Sequence, residues 1–401
     1  MMQTTFARAL AFAASLAATA ALIAGCAAPP QATAISNELP FDQAVSQATD
    51  GLIAQTQKLP AFLLKVESKF AKRTVVIDSM IDSGSGQQTM ATKQFEKYVT
   101  DRLTANEQFE VLPFQLASLT KSQYLLTGTM TRVQTGNKGS FKLNLALTEM
   151  KTGNSVAQAS AIAREEGVDT APTPYYRDSP VLVKDKIIEG YIRTAQAAPG
   201  TRADSIYFER IATATLIDNA TNLYNNERYQ DALGQFKNAL ATPAGEQLRV
   251  LNGLYLANFK LGRTADAEQA FGRVVALGIA YNELGVKFLF NPGGTEFWSD
   301  QKISGPYQMW LRQIARESTA AKVCMNVVGH TSRTGSEQAN DTLSQQRAAF
   351  IRQRLAAEAG DLAARTKAVG MGFRQNIVGS GTDNVVDALD RRVEFKIVPC
   401  G

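Results

Sequence analysis

Histidine is almost missing from this 401-residue chain: His330 stands alone. A Ser–His or Cys–His relay could be assembled only around that one ring, and its Gly-His-Thr setting suits a structural role better. Cysteine is nearly as scarce, with three in all, so no Cys/His cluster of metal-binding spacing exists and neither a metal nor a cofactor is expected. No pair of carboxylates stands out from the solvated charges, which leaves general acid–base chemistry without candidates, and the chain is not expected to be an enzyme. Charge of one sign is not in excess either. Lys and Arg number 42 against 37 Asp and Glu, and the resulting +5 is too weak to argue for nucleic acid. Beyond the first residues no apolar run approaches the ~20 that a spanning helix needs. The turn "GSGQQT" lacks the Lys-Ser/Thr of a phosphate loop and reads as a plain turn.

What is present begins at the N-terminus. Arg8 precedes an apolar run from Ala9 to Ile23, followed by "AGC" ending at Cys26. This is the pattern of a secretory signal over residues 1–25. Its end, "IAGC", resembles a bacterial lipobox, which implies that Cys26 becomes the lipidated first residue. Ala27 and Ala28 are not the acidic residue associated with inner-membrane retention, so the periplasmic face of the outer membrane is the expected location. An Ala/Pro-rich tether, residues 26–39, follows. The remaining length predicts two or three domains.

Residues 40–195 open with "FDQAVSQATDGLIAQTQ", whose Phe41, Ala44, Ala48, Leu52 and Ile53 recur at helical spacing. The run "RTVVIDSMID" predicts a buried strand and "MATKQFEKYVTDRLTAN" a helix. "FEVLPF", "YLLTGTMTRV" and "FKLNLALTEMKTG" then predict three more strands, giving an α/β or α+β sandwich. In order and texture this set, with "LTGT" and "EMKTGNSV" as its sharpest pieces, resembles the CsgG/FlgO-like domain of envelope lipoproteins. The resemblance implies assembly or partner binding rather than catalysis. No long alternating apolar hairpin is present that would build a pore.

Residues 204–285 contain two related stretches, "ATNLYNNERYQDALGQFKNAL" and "GLYLANFKLGRTADAEQAFGRVV", in which Ala232 and Phe236 correspond to Ala267 and Phe271. They resemble the tetratricopeptide repeat, a helix pair in which small alanines let helices close on larger aromatics. Two copies fall short of the three usually needed alone, so the array should lean on a neighbour, as a rigid spacer or as a groove for an envelope protein.

Residues 286–401 alternate strand and helix. "VKFLFNPGGTEFW" opens as a strand and "YQMWLRQIARES" is a helix. "KVCMNVVGH" is a strand, residues 336–358 a helix N-capped by Ser336, and "RTKAVGMGF" and "RRVEFKIV" the last strands. The order β-α-β-α-β-β predicts a mixed sheet with helices on one face. If the strands bearing Cys324 and Cys400 are antiparallel neighbours, those ends meet, as a disulfide or as two separate thiols. Arg347 lies near the middle of the apolar side formed by Leu343, Phe350, Ile351 and Leu355. A guanidinium there keeps its charge and needs an anion, supplied by this chain or by a ligand.

"VVGHTSRTGSEQANDTLSQQRA", "GMGF" and "DALDRRVEF", in this order and spacing, resemble the OmpA-like peptidoglycan-binding domain. In that family the arginine of the L-S-x-x-R-A motif grips a carboxylate of diaminopimelate in the wall peptide, and it falls on Arg347. The resemblance implies a site of Arg347, Ser332, Thr331, Asn340, Leu343 and Arg392. One departure stands in it: Ser332 occupies the position after Gly-His-Thr where the family commonly has aspartate. The whole chain then reads as a non-catalytic outer-membrane lipoprotein that binds peptidoglycan and presents an interaction region. The alternative is a component or regulator of an envelope secretion or motility assembly that uses the wall domain as a foothold. A fragment starting near residue 286 is expected to fold and bind by itself.

Overall fold

The structure, a computed structural model, describes residues 38–57, 72–135, 138–291, 293–381 and 386–401. The expected signal segment, Cys26 and the expected tether up to residue 37 lie outside the described residues. No described helix is long and apolar enough to cross a membrane.

In the N-terminal part, α1 (Phe41–Gln57) precedes β1 (Arg73–Ile77), the short β2 (Ile81–Asp82), α2 (Met90–Thr104), β3 (Phe109–Leu112) and the single turn α3 (Leu116–Leu119). Three long strands follow: β4 (Tyr124–Thr135), β5 (Lys138–Glu149) and β6 (Ser155–Arg164). The sheet order is β3-β1-β4-β5-β6, with β1 parallel to β3 and β4 and the last three strands an antiparallel meander. The run "RTVVIDSMID" does not stay one strand: β1 ends at Ile77, and Asp78 and Ser79 turn away before β2. Strand β6 was not foreseen, because its inward positions are Ala157, Ala159, Ala161 and Ala163, which carry little strand signal. Their smallness has a packing reason. Helix α1 lies directly on them, and a Cβ at Gly51 would touch Ala159.

Next come α4 (Pro174–Asp178), α5 (Lys186–Ala195), α6 (Ser205–Phe208) and two antiparallel helix pairs: α7 (Ile211–Asn225) with α8 (Tyr229–Leu240), and α9 (Leu248–Lys260) with α10 (Thr264–Tyr281). Helix α5 covers the sheet face opposite α1 and α2, where Ile188 and Tyr191 pack against Val76 and Leu125. Ala232, Phe236, Ala267 and Phe271 are all buried between the helix pairs. Tyr175 of α4 fills the space among α7, α8 and α9. Its ring stacks on Phe236 and meets Tyr224 edge-on, and its hydroxyl donates to the Arg249 carbonyl at 2.6 Å.

The C-terminal part comprises β7 (Gly285–Val286), α11 (Gln301–Ser304), α12 (Tyr307–Ala320), β8 (Cys324–Gly329), α13 (Glu337–Glu358), α14 (Leu362–Arg365), β9 (Thr366–Gly370) and β10 (Val393–Val398). The sheet runs β7-β10-β8-β9, with β10 antiparallel to β7 and β8, and β8 parallel to β9. Val398 pairs with Cys324 in this register, and a disulfide joins Cys324 to Cys400 with 5.2 Å between their Cα atoms. Of the expected first strand only Val286 enters the ladder, together with Gly285 just before it. Phe288, Phe290 and Phe297 turn inward to a ring cluster with Tyr307 and Phe350, and Phe290 and Phe297 bridge across a tight reversal. Burying the rings wins over extending the strand.

The helix pairs and the C-terminal part share one core, while the N-terminal sheet keeps its own. Trp310 of α12 stacks on Phe271 of α10, and its indole N–H donates to the Tyr255 hydroxyl of α9 at 2.9 Å. On the other side, Val181 bridges to Val286, and the Leu182 N–H donates to the Gly285 carbonyl. The segment after α4 thus runs along the edge of the C-terminal sheet.

Candidate functional site

Strand β8 ends at Gly329, and the chain turns through His330, Thr331 and Ser332 towards α13. Two glycines let the strand ends press against that helix. A Cβ at Gly329 would collide with the Ser344 carbonyl, and one at Gly370 with the Gln345 N–H and the Ser344 hydroxyl. The Ser344 hydroxyl accepts from the Gly372 N–H at 2.9 Å and donates to the Asp341 carbonyl at 2.9 Å. Ser336 caps α13 by accepting from the Ala339 N–H at 3.3 Å. Asn340 folds back on the approach turn, its amide donating to the carbonyls of Thr334 at 2.7 Å and Ser336 at 3.0 Å.

The turn is held from a second side by residues 372–381 and 386–392. The Thr331 N–H donates to the Gly372 carbonyl and the His330 N–H to the Arg392 carbonyl, both at 3.0 Å. Between those anchors, buried Asp390 accepts from the N–H groups of Ile377, Val378 and Gly379, and buried Asp387 from Ser380. A carboxylate collecting several backbone donors fixes the residues that donate, here Ile377 to Gly379.

Arg347 is 5% exposed. Its Nε donates to the Gly294 carbonyl at 3.1 Å and its Nη2 to the Asn291 carbonyl at 3.3 Å, and the guanidinium carbon lies 4.8 Å from the Phe290 ring centre. The reversal between Phe290 and Phe297 therefore seats the arginine. Backbone carbonyls and a ring face fix a guanidinium in place while leaving it positively charged.

The other expected site residues divide. Thr331 and Ser332 are buried in the turn beside His330, and the Thr331 hydroxyl has no hydrogen-bond partner among the described residues. Leu343 is half-buried on α13. Arg392 is buried and turned to its neighbour Glu394, with Nε at 2.8 Å and Nη2 at 2.7 Å from Oε1. Nη2 also donates to the Gln375 carbonyl at 3.1 Å. Lys396 adds a third contact, 2.7 Å from Glu394 Oε2. Arg392, Glu394 and Lys396 alternate along β10 on the side opposite Val393, Phe395 and Ile397, which pack into the core. Burial alone would raise the Glu394 carboxyl, but Arg392 and Lys396 outweigh it and bring it down to about 2.

His330 lies behind this ladder with a fully buried side chain, its Nε2 3.8 Å from Glu394 Oε1. Burial, with Arg392 adding to it, lowers its pKa from 6.5 to about 4, so the ring is neutral at physiological pH. A base with a depressed folded pKa is protonated first in the unfolded chain. Its stabilising contribution is therefore complete above pH 6.5 and is lost as pH falls towards 4. The full window is worth on the order of 3 kcal/mol. Urea unfolding at pH 7 and pH 4.5 should show a clear loss in the native protein and a smaller one in His330→Gln. Parallel losses would remove His330 from the account.

Comparison with known proteins places this region. Residues 289–388 match the model of the OmpA family. Similar solved structures include the peptidoglycan-associated lipoprotein from Burkholderia pseudomallei, 27% identical over 28% of this chain and 89% of that one, with a TM-score of 0.24. The cell wall anchor of the T6SS from Pseudomonas aeruginosa is 25% identical over 28% of this chain and 78% of its own, with a TM-score of 0.24. The periplasmic domain of Helicobacter pylori MotB is 18% identical over 29% and 74%, with a TM-score of 0.23. No curated protein matches the chain. The C-terminal part of this protein, with its Gly-His-Thr turn, its Leu-Ser-x-x-Arg-Ala helix and its four-stranded mixed sheet, is an OmpA-family domain.

Proposed function

We propose that the protein is a non-catalytic, lipid-anchored envelope protein that holds peptidoglycan through its OmpA-family domain. The observation that carries this reading is Arg347, fixed on the carbonyls of Asn291 and Gly294 at the L-S-x-x-R-A position of a domain of that family. A planar guanidinium suits bidentate capture of a carboxylate, and diaminopimelate in the wall peptide offers one. Ser332 supplies a hydroxyl where the family commonly has a carboxylate, which would trade an ionic contact for a neutral hydrogen bond. The N-terminal sheet and the helix pairs then serve as the body presented to an envelope partner between membrane and wall.

Cosedimentation with purified, diaminopimelate-containing sacculi tests the reading: the full chain should pellet with them and release no soluble muropeptides. A chain that stays in the supernatant, or that solubilises wall fragments, would overturn it. The anchor is tested separately. Radiolabelled palmitate should enter the native protein and be lost in Cys26→Ala, because several acyl chains at about 0.8 kcal/mol per buried CH₂ hold a soluble body at a membrane. Label that survives the substitution would place the lipid elsewhere or exclude it.

A further inference from the structure

The turn "DSGSGQ", residues 82–87, is over-built for a plain connection. Asp82 Oδ1 accepts from both the N–H and the hydroxyl of Ser85 at 2.7 Å, and its backbone exchanges bonds with Gly86 and Gln87. The Ser83 N–H donates to the Met130 carbonyl at 2.9 Å, and the Ser83 hydroxyl lies 2.7 Å from that of Thr131. From the other side, Lys184 Nζ donates to the carbonyls of Ser83 at 2.9 Å and Gly84 at 3.1 Å. Gly86 takes a φ of +72°, which favours glycine. This rigid turn faces the C-terminal domain. At Gly84 an added Cβ would stand 3.0 Å from the Ile377 carbonyl, and a cavity of about 100 Å³ beside it is lined by Asp82, Gln87 and Arg132 on one side and by Ile377, Val378 and Leu389 on the other.

Ile377, Val378 and Leu389 belong to the loop whose two ends grip the His330–Ser332 turn. Because Asp390 holds the N–H groups of Ile377, Val378 and Gly379 and lies two residues from Arg392, a push at Ile377 is passed to the anchors at Gly372 and Arg392 rather than absorbed locally. We infer that the Asp82–Gln87 turn is a positioning element for the wall-binding site, which makes the affinity of the OmpA-family domain depend on the N-terminal part of the same chain. The inference rests on the wall-binding reading above. It gives the N-terminal sheet a part in recognition: whatever displaces the 82–87 turn also loosens the hold on the wall.

The test uses the full chain. Gly84→Val should crowd Ile377, and Lys184→Met should release the turn from behind. Each is expected to lower sacculus affinity roughly tenfold, the size of a typical coupling between linked sites. Each should also speed amide exchange at His330 and Thr331, whose N–H groups are bonded to Arg392 and Gly372, a change that loss of a remote junction contact alone would not bring. Should Gly84→Val fail to fold, Lys184→Met decides by itself. Binding that matches the unsubstituted chain, or unchanged exchange at both amides, overturns the inference. Arg347→Ala in the same assay keeps the two readings apart. If it loses binding while the turn variants retain theirs, only the positioning role fails. If it binds as well as the unsubstituted chain, the wall-binding reading itself fails.

Discussion

Arg347→Ala is expected to reduce cosedimentation with sacculi by roughly ten- to a hundredfold, since a charge-assisted contact to a carboxylate is worth about 1.5–3 kcal/mol. The fold should survive. The carbonyls of Asn291 and Gly294 lie in a half-exposed turn where water can replace the lost donors, and the removed side chain leaves Phe290 within the ring cluster of Phe297 and Phe350. Melting and binding measured on the same variant separate recognition from support. A steep fall in Tm with normal binding by the folded fraction would mean that Arg347 only braces the 290–297 reversal. Arg347→Lys should restore little, because a point charge cannot reproduce the planar fork. Ser332→Asp is the complementary change: it restores the group the family commonly carries, and binding to diaminopimelate-containing wall should tighten.

Trp310→Ala should have the largest effect on stability. The indole is nearly buried, stacks on Phe271, lies against Tyr307 and Phe288, and donates to the Tyr255 hydroxyl. Removing it takes away that area, opens a cavity and strands a hydroxyl, a combination that costs about 3–5 kcal/mol. Because the ring joins helices α9 and α10 to the C-terminal domain, the loss should appear as a lower midpoint for the whole transition. A fragment beginning at residue 286 would expose this same ring and would begin within β7, so it should melt well below a fragment that begins at residue 205 and retains both helix pairs. Equal midpoints for the two fragments, together with a Trp310→Ala variant within two or three degrees of the native Tm, would show that the C-terminal domain does not lean on the helices.

Much of this architecture was legible in the residues because the signals were local. Strand-like apolar runs marked β4, β5, β8 and β10, helical patterns marked α1, α2, α12 and α13, and Ser336 marked the start of α13. The motif around His330 and Arg347 pointed to its own neighbourhood through the order of its residues. What escaped was decided by partners distant in sequence. Strand β6 is built from alanines whose inward placement has meaning only once α1 lies upon them. The aromatic stretch after Val286 abandons the ladder because its rings find one another and Phe350. Arg392, named with the ligand-site residues, is turned to its near neighbour Glu394, and only the placing of distant His330 behind the pair buries it there.

The chain's composition and motif order by themselves determined a mixed α/β protein with a C-terminal OmpA-family domain, and pointed to Arg347 as the charge to watch. The tertiary structure alone decided what seats that charge, the Asn291 and Gly294 carbonyls with the Phe290 face. It also decided that the 82–87 turn meets the loop behind the His330 turn. Such choices are closed to one-dimensional reading because they depend on which buried surfaces and hydrogen-bond donors are left over after each element has formed. Those leftovers find their partners 53 or more residues away, as Arg347 does at Gly294 and Lys184, 101 residues away, does at Ser83.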